Sequence, residues 1–156
     1  MKTLIFLSYF IVLQAYSCND TEIYKSILKD IKSSEAFIDY KDNIDSCGGV
    51  KVSGYLYSMC FLGSPFVFDY PDISDYLNEN CFGENTRKGE EYQNLEKLSD
   101  IETTCLWVSF SETFNNKIAA EVISTNKNIN EELIYLYEIL PDKSIIKLEE
   151  MVFIVD

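Results

Sequence analysis

Apolar positions along this chain follow three regimes of spacing, and each regime predicts a different element. Residues 4–13 (LIFLSYFIVL) form a nearly unbroken apolar run. Over residues 19–34 the side chains Ile23, Tyr24, Ile27, Leu28 and Ile31 recur every three or four positions, which is one face of an α-helix. Asp20 and Glu22 stand in its first turn and Lys25, Lys29 and Lys32 further on, the order that the helix dipole favours. From residue 103 the period shortens to that of strands: residues 104–110, 117–125, 133–140 and 145–155 are rich in β-branched and aromatic side chains. Asn115-Asn116, residues 126–130 and Pro141-Asp142-Lys143-Ser144 join them with turn chemistry. Links this short force neighbouring strands antiparallel, so a four-stranded meander is expected.

The middle is less regular. Residues 35–40 (EAFIDY) suit a short strand, residues 42–49 a turn ending in Cys47-Gly48-Gly49, and residues 50–62 a strand bent or bulged at Gly54. On that strand Tyr55, Tyr57, Met59 and Phe61 would share one face. Gly63-Ser64-Pro65 breaks the run, residues 66–68 suit a brief edge segment, and helices are expected over residues 72–80 and 90–98. Residues 81–89 (CFGENTRKG) read as a loop holding Arg87 and Lys88, an island of positive charge. The sum is an α+β fold: an N-terminal amphipathic helix packed on a curved antiparallel sheet that ends in the meander. No repeat of 20 to 50 residues divides the chain. This order of elements, with Phe114 and the stretch NKIAAEV before the last hairpin, resembles the NTF2-like and cystatin-like folds.

The first apolar run carries an address rather than a core element. Met1-Lys2-Thr3 precede it, and the small residues Ala15 and Ser17 follow it, the layout of a secretory signal peptide over residues 1–17. Ten residues are too few for a permanent span, which takes about 20. Cleavage before Cys18 leaves residues 18–156 as a single domain. Cys18 followed by Asn19-Asp20 resembles the lipobox of bacterial envelope lipoproteins over residues 1–20, which implies acylation of Cys18 and a membrane anchor. Ordinary cleavage instead leaves Cys18 free or in a disulfide. Asn19-Asp20-Thr21 is a glycosylation sequon that matters only in a eukaryotic source.

Charge narrows the partners. Lys2 is the leader's one charge, so the mature chain sets 26 acidic side chains against 12 basic ones, a formal charge of −14. Such a field repels nucleic acid and favours basic partners. The 21 Phe and Tyr residues, with Trp107, exclude a disordered acidic tail.

Candidate chemistry is sparse. The chain has no histidine, which removes Ser-His-Asp and Cys-His nucleophiles and histidine metal sites. No phosphate-binding or nucleophile-elbow motif is present. Cys47, Cys60, Cys81 and Cys105 contain no C-x-x-C, so zinc and thioredoxin-like chemistry drop out. Two disulfides among these four, of open pairing, suit an oxidising compartment; otherwise Cys60 and Cys105 are buried thiols within strands. The aspartates at 39, 42 and 45 and at 69, 72 and 75 lack the alternating ligands of a calcium loop, and no metal or cofactor is expected.

The expected function is therefore non-catalytic: an exported, lipid-anchored envelope protein, periplasmic or on the outer surface, that binds a basic partner. One form of it is an immunity or inhibitor protein for a basic toxin or hydrolase. The alternatives are a small NTF2-like enzyme using Asp39 with Tyr40, or Glu121 with Tyr135, and a secreted eukaryotic protein.

Overall fold

The computed structural model describes residues 20–44, 48–81, 89–92, 94–101, 104–126 and 130–154. The leader, Cys18, Asn19, Cys47, Arg87 and Lys88 lie outside the described residues. Helix α1 spans Asp20–Ser33 and buries Tyr24, Ile27, Leu28 and Ile31. It stops because Ser34 is extended (φ −73, ψ 146) and its Oγ accepts a hydrogen bond from Phe37 N at 3.2 Å. That cap starts helix α2, Glu35–Asp42, where a strand was expected. Phe37 and Tyr40, three apart, then fall on its buried side.

Strand β1 spans Val50–Tyr57 and ends earlier than expected. Ser58 turns the chain by capping helix α3, Met59–Leu62, so Met59 and Phe61 do not share a strand face with the tyrosines. A 3-10 turn at Ser64–Phe66 replaces the expected edge segment, and Pro71 opens helix α4, Pro71–Asn80. Residues 90–98 are not one helix: Glu90–Glu91 forms strand β2 and Leu95–Leu98 a 3-10 turn. Asn94 between them is left-handed, at φ 74, which no continuing right-handed helix allows. Strands β3 (Leu106–Ser111), β4 (Lys117–Ser124), β5 (Glu131–Ile139) and β6 (Ile145–Ile154) follow.

The six strands form one sheet in the order β2-β1-β3-β4-β5-β6. It is mixed rather than wholly antiparallel, because β1 runs parallel to β3, with Val50 opposite Leu106. A parallel neighbour needs a long crossover, and α3, α4 and β2 lie within it. The sheet is not closed, and its two edges differ. Strand β2 is two exposed glutamates, while β6 is ten residues long and exposes Ile146, Val152, Phe153 and Ile154.

Alternation sends side chains to two faces with separate cores. On the first face Val108, Ile118, Ala120, Val122, Tyr135 and Tyr137 pack with α1 and α2. On the second, Ala119, Ile134 and Leu136 pack with Met59, Leu62, Phe66 and Ile73. A disulfide between Cys60 and Cys81 ties α3 to the end of α4. Cys105, just ahead of β3, is also disulfide-bonded. Cys60 is thus neither a free thiol nor in a strand. No described helix is long and apolar enough to cross a membrane.

Candidate functional site

Helices α3 and α4 cover only part of the second face. They sit over Ala119 at the start of β4, and the sheet beyond them carries half-exposed side chains. The register brings five residues from five strands into one cross-strand row: Lys51 beside Trp107, Trp107 beside Ile123, Ile123 beside Glu132, and Glu132 beside Phe153. A second row, closer to the helices, runs Ser109, Glu121, Ile134, Met151. Neighbouring strands lie about 4.8 Å apart, and residues two apart along a strand about 7 Å. Ile123 and Glu132, the shorter side chains of the row, lie between the rings of Trp107 and Phe153, and this strip of open sheet face is termed the trough. Trp107 stands on one side and Phe153, 46% exposed, on the other.

Two carboxyls enter this trough. Glu121 and Glu132 are diagonal cross-strand neighbours on the same face. Glu121 is 9% exposed and makes no hydrogen bond or ion pair with a described residue. Burial first, and the charge of Glu132 second, push its carboxyl up to about 7. Burial also raises Glu132 above the usual carboxylate range. Opposite them, the Lys51 ammonium lies 4.6 Å from the centre of the Trp107 ring, a cation–π contact.

A buried acid at this position is costly, and an aliphatic residue would serve the core better. Its neighbours along β4, Ala119, Ala120 and Val122, are fully buried apolar side chains. Local sequence rules tend to be broken at functional sites. The one signal available in advance was an acid inside the apolar stretch KIAAEVIS. What Glu121 faces could not be read there.

The sequence-nominated catalytic pairs do not converge. Tyr135 pairs with Ala120 and points to the first face, whereas Glu121 points to the second, so the sheet separates them. Tyr40 is buried and donates to Glu131 O at 2.7 Å, while Asp39 is exposed. Burial above all pushes the Tyr40 phenol up to about 12, which leaves it uncharged at neutral pH. Tyr135 Oη and Ser34 Oγ share a hydrogen bond at 3.1 Å. Glu149 and Glu150 face opposite ways: Tyr70 Oη donates to the first at 3.3 Å and Lys147 Nζ to the second at 2.6 Å. Of the spaced aspartates, Asp72 is bonded by Lys117 Nζ at 2.7 Å. Among the described residues no three acidic or sulfur side chains converge to hold a metal ion.

Away from the trough, Lys25, Lys29 and Lys32 of α1 gather with Lys97. A cleft of about 510 Å³ between α1 and the 3-10 turn Leu95–Leu98 is lined by all four. Two of the four are neutralised within the chain, Lys25 by Glu22 at 3.4 Å and Lys32 by Asp100 at 2.6 Å. Compared with known proteins, the chain matches no family model, no curated protein and no solved structure.

Proposed function

We propose that the mature chain, residues 18–156, is a non-catalytic binding module of the cell envelope, exported by its leader and anchored through an acylated Cys18. Its partner is a basic protein, and an inhibitor or immunity protein for a basic toxin or hydrolase is the form that fits best. The observation that carries this reading is the half-exposed trough on the second face. There two carboxyls stand between two aromatic rings in a chain of formal charge −14. Acidic binders gain association rate by steering basic partners, and that gain fades with salt. The Cys60–Cys81 disulfide suits an oxidising compartment outside the cytoplasm. Binding of nucleic acid is disfavoured by the same charge.

Two measurements test it. Intact-mass analysis of the protein from its native host should give a chain beginning at Cys18, heavier by its acyl groups, with its disulfides intact. Solubilised membranes passed over the immobilised mature protein should yield a basic protein at low salt that is released at high salt. A full-length, reduced chain recovered from the cytoplasm, or no salt-sensitive basic partner, overturns the proposal.

A further inference from the structure

We propose that the trough between Trp107 and Phe153 seats the guanidinium of an arginine side chain presented by the partner. This deepens the reading of the chain as a binder of basic proteins and rests on it. Four features of the trough select that chemistry. Its apolar side chains, Ile123, Trp107 and Phe153, offer surfaces over which an arginine stem and its planar head can lie.

Its carboxyls come from different rows, Glu132 beside Ile123 and Glu121 one row inward, so a forked donor can reach both while a point charge favours one. Glu121, nine-tenths buried, makes no hydrogen bond to a described residue, and since no buried side-chain oxygen among the described residues is without a partner, its carboxyl oxygens reach solvent at the trough's inner end, where a donor can meet them. The chain itself shows that the aromatic wall accepts a cation, because Lys51 already lies over Trp107 from the β1 side. Phe153 on the opposite wall carries no such neighbour among the described residues and is open to solvent. Arginine is also the charged residue most enriched among interface hot spots, where a desolvated pocket closes around it.

Trp107 is the chain's one tryptophan, so its emission reports on the trough directly. The test titrates the intact mature protein with an end-blocked tetra-arginine peptide, with tetra-lysine and the uncharged tetra-citrulline as comparisons. Tetra-arginine is expected to shift Trp107 emission saturably, at least fivefold more tightly than tetra-lysine, and tetra-citrulline not at all. The double variant E121Q/E132Q should weaken tetra-arginine binding at least tenfold. E90Q/E91Q, which removes the same two charges from the far edge strand, should stay within twofold of the parent. Should E121Q/E132Q fail to fold by circular dichroism, Phe153→Ala at the exposed wall should still weaken binding about threefold.

Equal binding by tetra-lysine, no saturable shift, or equal loss in the edge variant overturns the assignment. Failure here is separable from failure of the wider reading. If a basic partner from membranes is retained equally by the parent and by E121Q/E132Q, the trough is wrong and the binding function stands. If tetra-arginine binds as stated while no basic protein is captured, the trough stands and the wider function falls.

Discussion

Tyr137 donates its phenol hydrogen to Asp30 Oδ2 at 2.9 Å, and that bond fastens strand β5 to helix α1 from within the first core. Lys147 Nζ stands 3.8 Å from the same oxygen, so a strand, a helix and a second strand meet at one carboxylate. Burial first, and the Asp30 carboxylate second, push the Tyr137 phenol far above its usual range. It therefore stays protonated, and a donor, at neutral pH.

Removing that hydroxyl should therefore cost more than an ordinary surface bond. Tyr137→Phe is expected to lower stability by about 1.5–3 kcal/mol, the range for a hydrogen bond to a charged group. A double-mutant cycle with Asp30→Ala should return a coupling of about 1–2 kcal/mol. Urea denaturation at pH 7 measures both. A loss below about 0.5 kcal/mol for Tyr137→Phe would show that the bond contributes nothing net.

The Cys60–Cys81 disulfide spans a sequence separation of 21 residues and closes a loop that holds α3 after Met59, the 3-10 turn and α4, most of the cover of the second core. In the chain-entropy model a loop of that length stabilises by about 3 kcal/mol. Cys60→Ala/Cys81→Ala should lower the thermal midpoint by roughly 10 °C. Calorimetry checks the shift. A midpoint unchanged within about 2 °C would show that α3 and α4 hold by packing alone.

Some of this architecture was legible in advance, and the rest failed for identifiable reasons. Strands β4, β5 and β6 start and stop within two residues of their expected limits because each is a run rich in β-branched and aromatic residues bounded by turn residues, with β4 and β5 buried on both faces and β6 at the exposed edge. Residues 35–40 looked like a strand because Ala36, Phe37, Ile38 and Tyr40 satisfy either period over so short a run. The deciding residue was Ser34, whose side chain caps Phe37 N.

Pairing was less accessible than element type. Apolar spacing says which way a side chain points but not which strand lies beside it, so the parallel contact of β1 with β3 was invisible. The trough was invisible for the same reason. Its five residues, at positions 51, 107, 123, 132 and 153, become neighbours only through four separate registers.

Lys117 Nζ bonds Asp72 Oδ2 at 2.7 Å and ties α4 to the start of β4, beside the covered end of the second face. Burial opposes charge on Asp72, but the hydrogen bond and charge of Lys117 outweigh it and hold the carboxyl below its usual range. A depressed carboxyl contributes stability above its unfolded value, and that contribution is lost as pH falls through the folded one. Lys117→Met should thus cost about 1 kcal/mol at pH 7 and flatten the loss of stability below about pH 4. Urea denaturation from pH 2.5 to 7 tests this, and an acid limb as steep as the parent's would contradict it.

Glu121 predicts the opposite slope in a higher window. Its carboxyl sits near 4.5 in the unfolded chain and is held up to about 7 in the folded one, by burial and then by Glu132. Between those values the folded state keeps a proton that the unfolded state has released. The resulting stabilisation is complete below pH 4.5 and is lost as pH rises through 7. A gap of that size corresponds to about 2–4 kcal/mol. Glu121→Gln carries no proton to lose, so it should match the parent at pH 4.5 and exceed its stability by about 2–4 kcal/mol at pH 8.5. Glu132, the one charged neighbour named among the causes, shifts in the same direction and keeps its own titration in the variant. The Asp72 limb lies below pH 4, so the two windows do not overlap. Parallel stability curves for parent and variant from pH 4.5 to 8.5 would mean that the Glu121 carboxyl is as well hydrated in the folded chain as in the unfolded one, which would contradict this prediction.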